Sequence, residues 1–316
     1  MIKILICRTD ALGDLITALP AIQSLKINYP SIEIDVLIRA INAPVLSSHP
    51  AIHAVHHIEQ TGSDFLKRQH YDAAFTMLYT TAIGRLLKKA AIPLRIGPLS
   101  KLSSFFYLNK LIRQHRSESC QTEAEYNVDL IKAAFPAVTA LRPVIANKGI
   151  KPAIPLPLRY AVFAVQSRGS AINISQDDYE QIIARTALQI PVVLTGMCDT
   201  PFETDLSQRY GNCINLCGKT SLDELIFVVS GASLVVAPSS GTVHLANALG
   251  RKIVAFYPPA KAMSPKRWAP YGYEGKIFCA DIDCGRFCKK SKGCAIECMK
   301  FDIDSVAGTI EIFLSE

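Results

Sequence analysis

The sequence has no long low-complexity tract, no collagen-like glycine period and no run of like charges. These absences, together with a content of 49% hydrophobic and only 19% charged residues, exclude fibrous proteins and disordered tails. The N-terminal stretch also lacks the long apolar core and small-residue cleavage site of a secretory signal. We therefore expect a globular, cytoplasmic protein.

Charged residues are missing from the stretch 225–250, which is long enough to suggest a membrane span. The stretch is interrupted, however, by Ser230, Gly231, Pro238 and Gly241. Such residues favour a helix, a strand, a loop and a second helix over one unbroken apolar helix.

Short apolar runs alternate with helical patterns along the chain. Residues 2–7 and 32–38 have the pattern of strands on either side of a helix, and such units build parallel sheets. Further strands are predicted at 54–58, 73–77, 94–97, 160–165, 191–195, 213–216, 233–237 and 252–257. Further helices are predicted at 42–48, 63–69, 80–91, 120–135, 176–189, from 221, at 242–249 and at 301–313. The pattern predicts an α/β protein.

The chain is long enough for two cores of about 150 residues each. Proline is concentrated between the two series of elements, which suits an extended linker: Pro143, Pro152, Pro155 and Pro157. We therefore expect a domain boundary near residue 155.

No G-x-G-x-x-G fingerprint follows the first strand, so a dinucleotide site is not indicated there. The segment that does follow lies where open α/β sheets bind ligands, and it contains Arg8, Thr9, Asp10, Gly13 and Asp14. We expect Gly13 to allow a tight turn and Asp14 to begin the helix, where the helix field stabilises a carboxylate. Asp14 is therefore a candidate general base, and a plain helix cap is the alternative.

A second strand–loop–helix motif lies at residues 236–246. Ser239, Ser240, Gly241 and Thr242 form its loop and helix start, and His244 follows on the first turn. Free N–H groups at such a helix start bind anions, so the motif predicts a phosphate site. An ordinary turn with a packed histidine is the alternative.

Two weaker segments add candidates. Lys219 and Thr220 precede a helix whose first turn has the spacing of a capping box, and their backbone can contact a nucleobase. Arg267, beside the single Trp268, can pair with a phosphate or a sugar hydroxyl. The alternatives are a simple helix entry and a tryptophan that seals the domain surface.

Together these motifs resemble glycosyltransferase family 9, the bacterial lipopolysaccharide heptosyltransferase family. The resemblance extends over nearly the whole chain. It is carried by Arg8, Thr9, Gly13, Asp14, Leu19 and Pro20, by the run 239–250, and by P-K-R-W-A-P-Y-G at 265–272.

The resemblance implies the GT-B architecture, in which two Rossmann-like domains with parallel sheets face a central cleft. It implies an acceptor-binding domain at 1–155, a nucleotide-sugar domain at 156–300, and a last helix at 301–316 that packs back toward the first domain. The implied activity is an inverting, metal-independent transfer of a sugar, heptose from ADP-heptose in characterised members, to a lipopolysaccharide core or related glycolipid. No cofactor is required, and we expect a monomer.

The resemblance also implies residue roles. Asp14 deprotonates the acceptor hydroxyl. The other acceptor-side residues are Arg8, Thr9, Asp10 and Gly13. The donor diphosphate is bound by Ser167, Arg168, Ser239, Ser240, Gly241, Thr242 and His244. The nucleobase and ribose are bound by Lys219, Thr220 and Asp199. Arg267 contacts a sugar or a phosphate.

The chain departs from characterised heptosyltransferases at two places. It has Ser239 where they have Asp, and residues 169–174 contain no Lys. These departures leave the donor sugar open. A nucleotide-sugar epimerase or hydrolase of similar fold, and a non-catalytic nucleotide-sugar-binding protein, are the alternative functions.

Acidic residues are absent between Asp72 and Glu118. The same stretch carries eight bases, namely Arg85, Lys88, Lys89, Arg95, Lys101, Lys110, Arg113 and Arg116. We expect this surface to attract an anionic glycolipid, or the inner face of the inner membrane, and a solvated basic surface is the alternative. No recognised nucleic-acid-binding module accompanies the charge, so nucleic acid is not an expected partner.

No C-x-x-C pair occurs among the ten cysteines, yet five of them fall between residues 279 and 298. They are Cys279, Cys284, Cys288, Cys294 and Cys298. In a cytoplasmic chain such a cluster is a structural zinc or iron–sulfur site or a set of free thiols. The spacing fits no standard pattern closely and leaves both alternatives open.

Overall fold

The computed structural model describes residues 2–167, 172–280 and 297–316. Within it the chain forms two compact units, one of residues 1–116 and 120–146 and the other of residues 117–119 and 147–316. The division falls between residues 146 and 147, ahead of the position near 155 that the prolines suggest. No helix within the described ranges has both the length and the apolar character needed to cross a bilayer.

The first unit contains one six-stranded sheet. Its strands are β1 (Lys3–Cys7), β2 (Glu33–Ile38), β3 (Ala54–His57), β4 (Ala73–Thr76), β5 (Leu94–Pro98) and β6 (Lys110–Ile112). Neighbouring strands run parallel in the order β3-β2-β1-β4-β5-β6. Its helices are α1 (Leu12–Ile16), α2 (Leu19–Asn28), α3 (Ser63–Arg68), α4 (Thr81–Lys89), α5 (Ser104–Tyr107) and α6 (Glu123–Lys132).

The second unit repeats this plan. Its strands are β7 (Ala161–Ala164), β8 (Val192–Thr195), β9 (Cys213–Asn215), β10 (Leu234–Pro238), β11 (Ile253–Tyr257) and β12 (Gly275–Cys279). They run parallel in the order β12-β11-β10-β7-β8-β9. Its helices are α7 (Gln176–Ala187), α8 (Pro201–Arg209), α9 (Leu222–Ser230), α10 (Gly241–Ala248), α11 (Pro265–Trp268) and α12 (Ile303–Ser315).

The central strands of the second unit are almost entirely apolar, as expected where helices cover both faces of a sheet. Every residue of β7, β8, β10 and β11 is buried. In the first unit the order in which strands are added to the sheet changes direction between β1 and β4, and in the second unit between β7 and β10. Ligands bind at such switch points of parallel sheets. The predicted α/β fold, with one parallel sheet in each of two units, is confirmed.

The structure differs from the sequence-based prediction mainly at edges and short elements. The segment predicted as a helix at 42–48 is a 3₁₀ turn, Ala40–Val45, because Pro44 cannot continue an α-helix hydrogen-bond pattern. The edge strands β6 and β12 were not predicted, since one is three residues long and basic and the other begins with a glycine. Helix α12 packs against α7 and β10 in the second unit. Its predicted approach to the first unit stays a prediction.

Candidate active site

The segment that follows β1 runs along the carboxyl edge of the first sheet. Arg8 continues the strand, since its amide donates to the Leu37 carbonyl at 3.0 Å. Helix α1 then begins at Leu12, so Gly13 lies inside the helix and not in a turn, and its backbone is not left-handed. The predicted turn at Gly13 was therefore wrong. Asp14 is the third helical residue, still within the first turn that favours a carboxylate.

Arg8 is buried at the centre of a carboxylate cluster. Its side chain is 2% exposed, and its Nη2 atom lies 2.6 Å from Asp14 Oδ1. Its Nε atom lies 2.9 Å from Asp10 Oδ1 and its Nη1 atom 3.3 Å from Glu123 Oε1. The contact with Asp10 is an ion pair without hydrogen-bond alignment, because neither of its two atoms has a hydrogen-bond partner among the described residues. The structure thus brings together Arg8, Asp10 and Asp14, three of the residues that the sequence analysis singles out.

Two further residues, both on α6, complete the cluster and were missed from the sequence. Glu123, only 1% exposed, begins α6 and also contacts Arg116 Nη1 at 2.6 Å. Asn127, one turn further on, accepts from Arg8 Nη1 at 3.3 Å and donates to the Thr17 carbonyl at 3.0 Å. These residues lie more than a hundred positions from Arg8 along the chain, so no local pattern links them to it.

The cluster leaves two carboxylates partly accessible. The side chains of Asp10 and Asp14 are 20% and 21% exposed, whereas Arg8 and Glu123 are covered. One Asp14 oxygen is fixed by Arg8, and this contact orients the carboxylate. A carboxylate that is held in one orientation and reachable from solvent has the geometry of a general base.

Asp10 is the carboxylate that the cluster accommodates least well. Burial raises the pKa of Asp10 to about 6, against the opposing attraction of Arg8 and with a further rise from the charge of Asp14. The carboxylates of Asp10, Asp14 and Glu123 all contact the Arg8 guanidinium, and Glu123 also contacts that of Arg116.

Replacement of Asp10 by Asn is expected to change how stability depends on pH. Because the pKa of Asp10 is raised on folding, its contribution to the free energy of unfolding is fully present below about pH 4 and is lost as pH rises through about 6. Urea denaturation across this window should show wild type losing stability relative to Asp10→Asn. The control is Asp64→Asn on α3, an exposed acid. A difference between wild type and Asp10→Asn that does not vary with pH would contradict this assignment.

A groove opens beside Thr9 in the first unit, with a volume of about 440 Å³. Three threonine hydroxyls, one guanidinium and several apolar side chains line it, from Thr9, Arg39, Ile58, Thr61, Thr80, Ala82, Ile83 and Leu86. Hydroxyls and a guanidinium suit a polar, anionic molecule such as a phosphorylated sugar. Thr9 is one of the lining residues, and its acceptor-side role stays a prediction.

In the second unit, α10 begins directly after β10 at the switch point. Ser240 is the N-cap residue, but its side chain does not cap the helix, and its buried hydroxyl has no hydrogen-bond partner among the described residues. Gly241 and Thr242 form the first turn, and His244, only 6% exposed, lies one turn beyond Ser240. Uncapped N–H groups beside an unsatisfied hydroxyl form a site for an anion.

The ends of β7 and β8 are tied together by Gln166. Its side-chain amide donates to the Cys198 carbonyl at 2.7 Å and to Glu203 Oε1 at 2.8 Å, and its oxygen accepts from Met197 at 2.9 Å. Ser167 follows Gln166 at the same sheet edge as Ser239 and Ser240, because β7 and β10 are parallel neighbours. Arg168, the other predicted diphosphate residue, lies outside the described residues.

The residues predicted for base and ribose come together beyond β8 and β9. Lys219 Nζ lies 3.1 Å from Asp199 Oδ2, and Asn215 donates to Asp199 Oδ1 at 2.7 Å. These hydrogen bonds, first from Asn215 and then from Lys219, lower the pKa of Asp199. Thr220 precedes the capping box of α9, which is confirmed.

Arg267 lies on the short helix α11, with its guanidinium 4.7 Å from the centre of the Trp268 ring. Trp268 is itself fixed, since its ring nitrogen donates to the Ala262 carbonyl and its carbonyl accepts from Tyr257. Asn247 of α10 donates to the Tyr271 carbonyl at 2.9 Å and so joins this segment to the helix of the anion site.

The cysteine cluster is described only in part. Cys279 ends β12 and Cys298 lies in the 3₁₀ turn Glu297–Met299. Cys284, Cys288 and Cys294 lie outside the described residues, so a structural zinc or iron–sulfur site stays a prediction. Within the described ranges, no three His, Cys, Asp or Glu side chains are grouped as metal ligands.

Comparison with known proteins identifies glycosyltransferases as relatives of this chain. The family model described as glycosyltransferase family 9 (heptosyltransferase) matches residues 64–300. A Haemophilus influenzae protein with the provisional name glycosyltransferase is 28% identical over 302 residues, covering 85% of this chain and 86% of its own. The lipopolysaccharide core heptosyltransferase OpsX of the same organism is 25% identical over 300 residues, covering 84% of this chain and 81% of its own.

The fold is that of a solved heptosyltransferase. The structure of Escherichia coli ADP-heptose lipopolysaccharide heptosyltransferase II superposes with a TM-score of 0.81 and 19% sequence identity. The match covers 100% of this chain and 99% of that one.

Proposed function

Because the chain belongs to glycosyltransferase family 9, the heptosyltransferase family of lipopolysaccharide core synthesis, we propose that it transfers heptose from ADP-heptose to a lipopolysaccharide core or related anionic glycolipid. We propose that the transfer inverts the anomeric centre and needs no metal ion. The observation that supports this proposal is the start of α10. Its N–H groups have no side-chain cap and the Ser240 hydroxyl has no partner among the described residues, so both can donate to a diphosphate.

The reaction is a single displacement. Asp14 removes the proton from an acceptor hydroxyl, and the resulting oxygen attacks the anomeric carbon of the donor. The bond from that carbon to the diphosphate oxygen breaks as the new glycosidic bond forms, so the configuration inverts. The diphosphate leaves with its extra negative charge, which the start of α10 stabilises through its N–H groups, with Ser240 and His244 beside them.

The acceptor half of the reaction belongs to the first unit. Asp14 lies in the segment that includes Thr9, and Thr9 lines the groove with Arg39 and Thr61. We propose that the groove holds the sugar acceptor of an anionic glycolipid. The enzyme would then work in the cytoplasm, in peripheral contact with the inner face of the inner membrane, and as a monomer.

Replacement of Ser240 by Ala tests the donor site. The loss of one hydrogen bond to a charged diphosphate should weaken ADP binding about 10- to 100-fold. Stability should not fall, because the hydroxyl that is removed has no partner within the described part of the chain. Titration calorimetry with ADP and with ADP-heptose measures the first effect, and urea denaturation measures the second.

The matched control is Ser230→Ala, a serine on α9 whose hydroxyl donates to the Phe227 carbonyl. ADP affinity should be unchanged in this variant. If Ser240→Ala binds ADP as tightly as Ser230→Ala does, the diphosphate assignment is wrong. Incubation with ADP-heptose alone, followed by analysis of products, separates a transferase from an epimerase or hydrolase, since those need no sugar acceptor.

A further inference from the structure

The first unit exposes a compact group of apolar side chains that the proposed reaction does not use. Leu102 is 81% exposed, Phe105 58% and Phe106 67%, and Leu99 is exposed beside them. We call these four residues the apolar patch. They lie on α5 and on the loop that leads into it, so four large apolar side chains are exposed on one short segment. Single exposed apolar residues are ordinary, but a contiguous group of this size marks an interaction surface.

The patch is held firmly in place from below. Ser104 is fully buried, and its hydroxyl donates to the Lys101 carbonyl at 2.6 Å. The Tyr79 hydroxyl donates to Ser103 at 3.0 Å, and the Arg95 guanidinium donates to the Tyr107 carbonyl at 2.7 Å. These bonds hold the segment that carries the exposed apolar side chains.

Bases belong both to the patch segment and to α4, which contacts α5. Lys101 lies within it, and Lys88 of α4 donates to the Phe106 carbonyl at 2.9 Å. Arg85 and Lys89 are exposed on the same helix. Because residues 73–117 contain no acid, nothing in this stretch of the sequence offsets the positive charge. The combination of exposed aromatic and leucine side chains with a rim of bases is complementary to an anionic bilayer, with acyl chains below and phosphate groups at the surface.

We infer that the apolar patch inserts into the interfacial layer of an anionic lipid bilayer, with Arg85, Lys89 and Lys101 on the phosphate headgroups. Helix α4 links this surface to the groove, because its Ala82 and Leu86 side chains line the groove while its bases form the rim. A glycolipid held in the same bilayer would present its sugars next to the groove. The inference rests on the proposed function only for the acceptor, since bilayer binding needs no donor.

Vesicle sedimentation tests the inference on the full chain without nucleotide. Vesicles containing about one third phosphatidylglycerol in phosphatidylethanolamine should bind the wild type. The triple variant L102S/F105S/F106S should bind at least about 30-fold more weakly, because it loses three inserted apolar groups. The matched control is L158S/L188S in the second unit, where Leu158 is 105% and Leu188 88% exposed, and its binding should be unchanged. Equal binding by the triple variant and the control would overturn the inference.

Salt and charge variants separate insertion from simple adsorption. The variant R85E/K89E/K101E should bind at least about 10-fold more weakly, since bases near an anionic surface each contribute to attraction. Wild-type binding should weaken but persist at about 0.5 M salt, because screening removes the charge contribution and leaves the apolar one. Complete release at that salt concentration would show adsorption by charge alone and would overturn insertion.

A fluorescent reporter measures insertion directly. Phe106→Trp in a Trp268→Phe background should show a blue-shifted emission with anionic vesicles and quenching by brominated acyl chains. Leu188→Trp in the same background should show neither, and an identical response from both would overturn the inference.

Transfer to a water-soluble, deacylated acceptor distinguishes the two proposals. If the triple variant keeps that transfer and loses vesicle binding, both stand, whereas wild-type vesicle binding with no transfer to any glycolipid would refute only the proposed function.

Discussion

Asp14→Asn is expected to lower kcat for sugar transfer by about 10³-fold or more while ADP binding changes by less than about twofold. Asn can accept the hydrogen bond from Arg8 that Asp14 Oδ1 now accepts at 2.6 Å, so the cluster keeps its packing. It cannot take a proton from the acceptor hydroxyl, and the displacement would lack its base. Donor binding should be preserved because Asp14 and Ser240 belong to different units.

The measurement is steady-state transfer to a glycolipid acceptor, paired with calorimetric titration of ADP. Asp64→Asn is the control, because it also removes an acid from the first turn of a helix in the same unit. Its turnover should equal that of wild type. Turnover of Asp14→Asn within about tenfold of wild type would show that another group acts as the base.

Arg8→Met is expected to lower the free energy of unfolding by about 3 to 5 kcal/mol at neutral pH. Methionine removes the guanidinium that contacts Asp10, Asp14 and Glu123, while Arg116 still contacts Glu123 at 2.6 Å. Buried or half-buried carboxylates that lose their counter-charge are costly, and they also repel one another.

A second substitution should recover part of this loss. Asp10 has Arg8 as its ion-pair partner, so R8M/D10N should be more stable than R8M by about 1 to 2 kcal/mol. Arg39→Met is the matched control, because Arg39 is half-exposed and lies 3.9 Å from Glu59, and it should cost less than about 1 kcal/mol. Urea denaturation compares the four proteins. Equal losses in Arg8→Met and Arg39→Met would mean that the carboxylate cluster does not depend on Arg8.

The sequence predicts the fold well because its strongest signals are local. Apolar strands such as β1 and β10 and the anion loop at Ser239–Gly241 are each encoded within a few consecutive residues. Edge strands carry weaker signals, because one face or one side of them meets solvent. The tripeptide Lys110–Ile112 pairs with β5 only through its position in the sheet, and its sequence alone does not distinguish it from a loop.

The candidate site is predicted in part for the same reason. Asp14 and Ser240 lie in short motifs next to strand ends, where a parallel sheet places ligands. Glu123 and Asn127 reach Arg8 from a helix that is distant in sequence, so only the tertiary structure brings them there. Glu123 lies at the start of α6, where an acid is common because it stabilises the helix terminus. Its position in the sequence therefore gives no sign that it also contacts Arg8.

Almost every side chain of helix α4 has a structural role, so few of its positions should tolerate substitution. Its side chains divide between the core, the groove, the basic rim and contacts with the segment 103–107. Even Gly84 is constrained, since a Cβ there would lie 2.8 Å from both Tyr79 and Tyr107. A one-residue insertion would rotate every following side chain by about 100° and turn bases toward the groove. Relatives that keep both surfaces should therefore accept length changes in the flanking loops before they accept any within this helix.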